Sequence, residues 1–420
     1  MKVKLDYGDG GLEVDCPDDA MVIRPQNRAA VPDPREAVLL RLREPTSGPP
    51  LRDLVSKGNS VAISVCDGTR PQPRQPMVGA ILRELREIGA AGRVTVLVAT
   101  GTHAGNTPEE LGRMLGDEIL ETCRVVNHDC RDDSMLVDLG TVDGDVNVAL
   151  NRMWVESDVR ITTGFVEPHF FAGFSGGPKM VAPGLAALDT VKALHNARRI
   201  GDERATWGIV EGNPVHDAIR AAAARCEPDF SVDVLLNMDK KVTEVFSGGL
   251  WPMHQSARSR TKEVAMSRVP HTFPLVVTSN SGFPLDQNLY QAVKGMSAAA
   301  EIVSEGGTIV CVAECRLGLP DGGAYARLLK SGDTIEEIGC RILESAEVVA
   351  DQWQVQVQAR VQQRAQVLVK ASGLTAAQLE SAHVTPVEDV TALIRDALRQ
   401  DPDLPIAVLP EGPQTIAYVE

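Results

Sequence analysis

The sequence predicts an α/β protein of two domains, each a mainly parallel sheet flanked by helices, with the active site in the cleft between them. Three observations carry this expectation. The chain has 420 residues, more than a single hydrophobic core comfortably organises. Short apolar runs rich in β-branched residues alternate with segments of helical periodicity, the pattern of a sheet covered by helices. At Pro270 and the stretch HTFP the pattern breaks and a fresh strand begins, as at a domain boundary.

Taken in order, strands are expected at 60–66 (SVAISVC), 93–99 (RVTVLVA), 158–163 (DVRITT) and 231–236 before the boundary. Beyond it they are expected at 274–278 (PLVVT), 307–313 (GTIVCVA) and 406–409 (IAVL). Helices are expected at 78–88, 108–115, 188–199, 214–225, 256–266, 298–304, 334–344 and 387–398, and the Gln-, Val- and Arg-rich run 349–369 reads as an amphipathic helix. Thr107, Pro108 and Glu110 supply an N-cap, a first-turn proline and a capping-box glutamate. The expected division is a first domain of residues 1–269, joined by the C-terminal segment 403–420, and a second domain of residues 270–402.

Hydrophobic residues make up 43% and charged residues 24%, an ordinary globular balance. The net charge of −15 argues against nucleic acid or an anionic membrane as partner, because either needs a basic face. A small anionic ligand held by a few local cations stays compatible with it. No signal-length apolar core opens the chain and no run of 18 apolar residues occurs, so a cytoplasmic protein is expected. The eight cysteines form no CxxC pair. Cys123 and Cys130 flank His128 at wide spacing and read as core thiols rather than zinc ligands. Monomer and homodimer are both left open.

In open α/β sheets, ligands collect where strands end and loops lead into helices. The first such loop is Asp67-Gly68-Thr69-Arg70-Pro71, where Gly permits an unusual backbone angle, Pro stiffens the exit and Arg70 suits bidentate capture of a carboxylate or phosphate. The second, Thr100-Gly101-Thr102-His103, sets a proton donor or acceptor at a strand end. The third, from Glu167 through His169, Phe170 and Phe171 to Gly176-Gly177-Pro178-Lys179, combines glycines for close backbone approach with aromatics that exclude water. It is not a P-loop, since Pro178 precedes the lysine and Met180 follows it. A lysine beside apolar residues suits a nucleophile or covalent anchor. His195 is expected on a helix sixteen residues further on, and imidazole suits Ni, Zn or Cu. His128, His216, His254, His271 and His383 lack this loop context and read as structural. In the second domain Tyr290 and Lys294 are one helical turn apart, as are Gln291 and Gly295, and Trp353 offers an aromatic lid.

Together these segments resemble the nickel-pincer lactate racemase family. The resemblance rests on DGTRP (67–71), GTH (101–103), EPHFFAGFSGGPK (167–179), the helix with His195, YQAVK (290–294) and DQWQ (351–354), in the family's order. It implies a nickel-pincer nucleotide, Ni pyridinium-3,5-bisthiocarboxylic acid mononucleotide, joined to Lys179 through a thioamide, with His195 completing a square-planar Ni(II) site. It implies His103 and His169 as acid/base residues on the two faces of a 2-hydroxy acid. Arg70 and Lys294 would hold its carboxylate and reacting oxygen, and Tyr290, Gln291 and Trp353 would line the pocket. Asp67 and Thr69 would bind the cofactor phosphate or orient its neighbours, beside Gly176 and Gly177. The activity implied is racemisation or epimerisation of lactate or a larger acid such as malate, with hydride passing to the cofactor and back. Cofactor-maturation enzymes are implied as partners. Two rival readings are a metal hydrolase gathering His103, His169 and His195 with Glu167 or Asp67, and a nickel- or nucleotide-binding protein without turnover.

Overall fold

The computed structural model describes residues 1–320, 323–345 and 347–419. The chain forms two compact units, each drawn from separate stretches. One unit is Asn27–His195 with Gly208–Lys262, and the other is Met1–Gln26, Asn196–Trp207 and Glu263–Glu420.

The Asn27–His195 unit is organised by a six-stranded sheet in the order Val242–Gly248, Phe230–Leu236, Val159–Phe165, Val61–Cys66, Val94–Ala99, Arg124–Asn127. All pairs are parallel except the one that adds Val242–Gly248. Val61–Cys66 is buried along its full length, which is why it reads as a continuous apolar run rather than an alternating one. The helices Arg74–Ile88 and Pro108–Thr122 follow the strands Val61–Cys66 and Val94–Ala99, and the second begins with the Thr107–Glu110 capping box. A separate antiparallel hairpin, Leu136–Val142 with Val146–Asn151, has no counterpart in the sequence expectation.

The other unit has its own six-stranded, all-parallel sheet: Thr385–Pro386, Gln366–Lys370, Val303–Val312, Phe273–Ser279, Ile406–Leu409, Met21–Val22. Both chain ends belong here, which corrects the expected division. Ile406–Leu409 lies directly beside the central strand Phe273–Ser279, and Ile416–Val419 pairs with Met266–Val269. The N-terminal hairpin sends Val3, Leu5 and Val14 into one core with Leu275, Val277, Val310, Ile406 and Val408. Its alternating burial is the period-2 signature of a half-buried strand, too short in sequence to reveal its partner. The break expected at 270 falls at Glu263, because Met266–Val269 already pairs within this unit.

Three helices differ from expectation. The 188–199 helix is two, Leu188–Leu194 and Ala197–Gly201, separated by His195 as C-cap of the first and Asn196 as N-cap of the second. The helix expected at 298–304 starts earlier, at Leu289–Ala300 on the N-cap Asn288, and Val303 opens the next strand. Gln352–Arg364 is not amphipathic but buried on nearly every face. Gln354, Gln356 and Gln358 donate to the carbonyls of Tyr290, Ala197 and Ala382, which offsets the cost of burying their amides, although Gln356 Oε1 is left without a partner. Among the described residues, no helix is long and apolar enough to cross a membrane.

Leu409 is fully buried in the strand contributed by the C-terminal segment. Leu409→Ala is expected to lower the unfolding free energy by about 2–5 kcal/mol, read from urea titration. An unchanged midpoint would contradict this placement.

Candidate active site

Three adjacent parallel strands, Val94–Ala99, Val61–Cys66 and Val159–Phe165, release the three chemistry-bearing loops from their carboxyl ends. Successive connections leave Val61–Cys66 and Val159–Phe165 in opposite directions along the sheet, making this the switch point where open α/β sheets hold ligands.

In the first loop Asp67 is buried and gathers its neighbours. Its Oδ1 accepts from the backbone N–H and hydroxyl of Thr69, and its Oδ2 lies 2.9 Å from His103 Nδ1. Burial alone would raise this carboxyl, but His103, Thr69 and Arg70 bring it down to about 2. An ionised Asp67 makes His103 Nδ1 the protonated nitrogen and leaves Nε2 as the basic one. Arg70 is exposed. Beneath the loop the buried Arg74 donates to the carbonyls of Cys66, Asp67, Arg70 and Gln72. Gln72 accepts from Cys66 N–H and donates to Thr163.

The third loop is held by side chains. The carbonyl of Phe171 accepts from Asn213 Nδ2 at 3.0 Å, and that of Ser175 from His254 Nε2 at 2.9 Å. The carbonyl of Ala172 accepts from His216. Gly177 N–H donates to Asp233 Oδ2 at 2.7 Å, and Ser175 Oγ donates to the Phe165 carbonyl while accepting from Glu167 N–H. Gly176 and Gly177 have φ of 69° and 50°. A side chain on Gly177 would meet the His254 ring at 2.5 Å, and one on Gly176 would meet Asp233 Oδ2 at 2.8 Å. The space left by these glycines is therefore filled from below by the clamp itself.

Burial governs the proton states of these supports. His254 is pushed down to about 4 and His216 to about 3, in each case by burial first. Asp233 is pushed up to about 7 by burial, offset only in part by Gly177 N–H, and its Oδ1 is without a hydrogen-bond partner.

On this platform stand the remaining residues. His169 Nδ1 accepts from the N–H groups of Phe171 and Ala172 at 3.4 and 3.3 Å, and its Nε2 lies 3.4 Å from Lys179 Nζ. Lys179 lies in the 3-10 turn Gly177–Met180. His195 is buried at a helix C-cap with Nδ1 2.8 Å from the Val191 carbonyl; Nδ1 therefore donates, and Nε2 is the lone-pair nitrogen. Burial, then Lys179, lower it to about 4.

Tyr290, Gln291, Lys294 and Trp353 lie in the other unit. Asn288 caps the helix carrying the first three by accepting from Gln291 N–H, and Trp353 Nε1 donates to Tyr290 Oη at 3.2 Å. His128 has both ring nitrogens engaged, by the Ala186 carbonyl and Asn151. Among the described residues no group of three or more His, Cys, Asp or Glu could hold a metal ion.

Sequence reasoning missed Arg74, Asn213 and Asp233 and treated His216 and His254 as unrelated to the site. One signal was present: Asp233 interrupts the apolar strand FSVDVLL, and a carboxylate in a buried strand calls for a partner.

Residues 7–208 match the family model described as the lactate racemase N-terminal domain, and residues 270–417 match the lactate racemase C-terminal domain. The lactate racemase of Thermoanaerobacterium thermosaccharolyticum is 30% identical over 421 residues, 99% of this chain and 98% of its own. That of Lactiplantibacillus plantarum is 33% identical over 381 residues, 90% of this chain and 89% of its own. The fold matches the lactate racemase apoprotein structure from T. thermosaccharolyticum with a TM-score of 0.92, 30% identity and coverage of 99% and 100%. A Thermotoga maritima protein of 17% identity shares the fold alone, with a TM-score of 0.68 over 93% of this chain and 100% of its own.

A carboxyl raised on folding destabilises the fold increasingly from its ordinary value of 3.8 up to about 7, and an amide does not titrate. Asp233→Asn is therefore expected to be more stable than wild type near pH 7, with an advantage that shrinks by about 1.4 kcal/mol per pH unit toward pH 4. His216 and His254 carry the opposite sign. They are lowered from 6.5, so their contribution is complete above pH 6.5 and is lost as the pH falls toward 4 and then 3. Thermal denaturation of both proteins across this range tests the pair, and a pH-independent difference would show that Asp233 does not titrate on unfolding.

Proposed function

The chain belongs to the lactate racemase family, and on that premise we propose that it racemises a small 2-hydroxy acid, lactate or a larger one such as malate. The observation that carries this reading is the pair of imidazoles set at the carboxyl ends of strands of one sheet, His103 held by Asp67 and His169 held by the Phe171 and Ala172 N–H groups. When the α-hydrogen leaves as hydride the hydroxyl proton must also leave, and a proton must return to the oxygen when the hydrogen is restored on the other face, so an acid/base group is needed on each side. His103, oriented by ionised Asp67, presents a basic Nε2 and takes the substrate hydroxyl proton. His169, in its imidazolium form, returns a proton to the oxygen on the opposite face and is left neutral. When the other enantiomer enters, the two exchange roles. Arg70, on a loop braced by Arg74, binds the substrate carboxylate as a planar two-point donor. Lys294 is assigned the reacting oxygen, and Tyr290, Gln291 and Trp353 the shape of the pocket.

The residues fit a nickel-pincer nucleotide. His195 is neutral, with Nδ1–H committed to Val191, so Nε2 is poised to donate to a soft or borderline metal. A metal there takes its further donors from outside the described protein side chains, since no cluster of three protein ligands surrounds it. This favours a group that brings its own donors over the metal-hydrolase reading. Lys179 would hold the group covalently and His195 would ligate Ni(II). When bound, the group supplies a reversible acceptor for the substrate α-hydrogen as hydride. The buried walls of Phe170, Phe171 and Phe174 keep water from the oxidised substrate. The same reading places the protein in the cytoplasm, beside enzymes that make the group.

Co-production with a pincer-making system, followed by mass spectrometry of the Lys179 peptide, tests the tether. A sulfur-rich nucleotide adduct is expected, absent in Lys179→Ala. An unmodified lysine, with the maturation system proven on a control protein, would overturn the reading. His103→Ala and His169→Ala should each keep the adduct while racemisation falls by about 10²–10⁴-fold, measured by chiral chromatography of the product. Undiminished racemisation would remove their assigned roles.

A further inference from the structure

Three groups of this site reach it from unrelated backbone: His169 from the two-residue strand Pro168–His169, Lys179 from a 3-10 turn, His195 from a helix end. They share one neighbour. The Phe171 ring lies 4.5 Å from the His169 ring at an interplanar angle of 75°. It lies 5.3 Å from the His195 ring at 86°, and its centroid is 5.6 Å from Lys179 Nζ.

Phe171 is itself buried and held at its backbone. It is 4% exposed, its carbonyl accepts from Asn213 and its N–H donates to His169 Nδ1. Asn213 is in turn fixed, since its Oδ1 caps the helix Pro214–Ala223. A phenyl ring has only two side-chain torsions, so once its backbone is held it is a rigid spacer. Edge-to-face geometry adds direction, because the positive edge of one ring prefers the negative face of another and the preference fades as the rings tilt. A cation or its amine precursor over the ring is likewise held at a set height.

The geometry points to Phe171 as a positioning residue of the site: its ring sets the separations among the cofactor-tethering amine, the metal-ligating imidazole and the acid/base imidazole. This rests on the racemase reading above. A core phenylalanine without such a role could be exchanged for leucine or methionine at a cost in stability alone. Here the exchange would fill the volume yet let the His195 ring rotate about its Val191 hydrogen bond, which weakens its hold on a metal before the fold weakens.

The test uses wild type, Phe171→Leu, Phe171→Met and Phe171→Tyr, each made alongside a pincer-making system. The Lys179 adduct is quantified by mass, nickel per chain by elemental analysis, and nickel retention by the rate of its loss to a chelator. Phe171→Leu and Phe171→Met are expected to carry the Lys179 adduct but to lose nickel about tenfold faster, the size of one edge-to-face contact. Their kcat should fall more than KM rises. Phe171→Tyr, which keeps the ring, should retain nickel like wild type. Equal retention in all four proteins would overturn the proposal, as would loss in Phe171→Tyr matching that in Phe171→Leu at equal Tm. Should Phe171→Leu melt early, Phe171→Met decides. A wild type that takes up neither adduct nor nickel defeats the parent reading instead, and the positioning role with it.

Discussion

A backbone N–H or C=O withdrawn from water must be paired, and the loop between Val166 and Lys179 supplements a short antiparallel bridge and its own turns with side-chain partners. Asn213, His216 and His254 each take one of its carbonyls, and Asp233 takes the Gly177 N–H. A helix or a full sheet would satisfy the same groups, but neither could present His169 and Lys179 from one short stretch. The glycines follow from this arrangement, because Asp233 and His254 stand where side chains on Gly176 and Gly177 would be. So does the unusual carboxyl, which is tolerated beneath the loop because it shares its burden with a backbone donor. Arg74 does the corresponding work under the Asp67 loop.

Imidazole is used in several distinct ways within this unit, and burial and partner decide between them. His254 donates to a carbonyl and is kept neutral by desolvation. His195 donates through Nδ1 and keeps a lone pair on Nε2. His103, half open to solvent at 45% side-chain exposure, faces the anionic Asp67, whereas His169 accepts from backbone N–H groups. The contrast between the last two is electrostatic at root. A carboxylate stabilises a proton on the nitrogen facing it, and a backbone donor repels one.

Much of this was legible in the sequence. The strands around 61–66, 94–99 and 159–165 were clear because buried parallel strands are continuous apolar runs. The Thr107 cap stood out because its chemistry is local. Loop residues such as Asp67, His103 and Lys179 were visible as polar side chains at strand ends, and GTH and EPHFFAGFSGGPK sharpened them. What was hidden was non-local. Nothing near Val3 or Val408 says that they share a core, and short strands carry too little pattern to choose a partner. Asp233 and His254 sit more than fifty residues from the loop they hold. The Gln352–Arg364 helix misled because its glutamines look solvent-facing until their carbonyl partners are known.

The interleaved course of the chain bears on how the protein comes to be folded during synthesis. Every strand of the loop-bearing sheet has been made once residue 248 has emerged, and that unit closes at Lys262. The other unit begins first and finishes last: Met21–Val22 waits for Ile406–Leu409, and Val3 and Leu5 wait for the same late strand. Domains generally fold as units as they leave the ribosome, N-terminal ones first, but here the core that receives Val3 and Leu5 is built from strands made only after the loop-bearing unit. The apolar face of the N-terminal hairpin is thus separated in synthesis from its core partners by the whole of the loop-bearing unit.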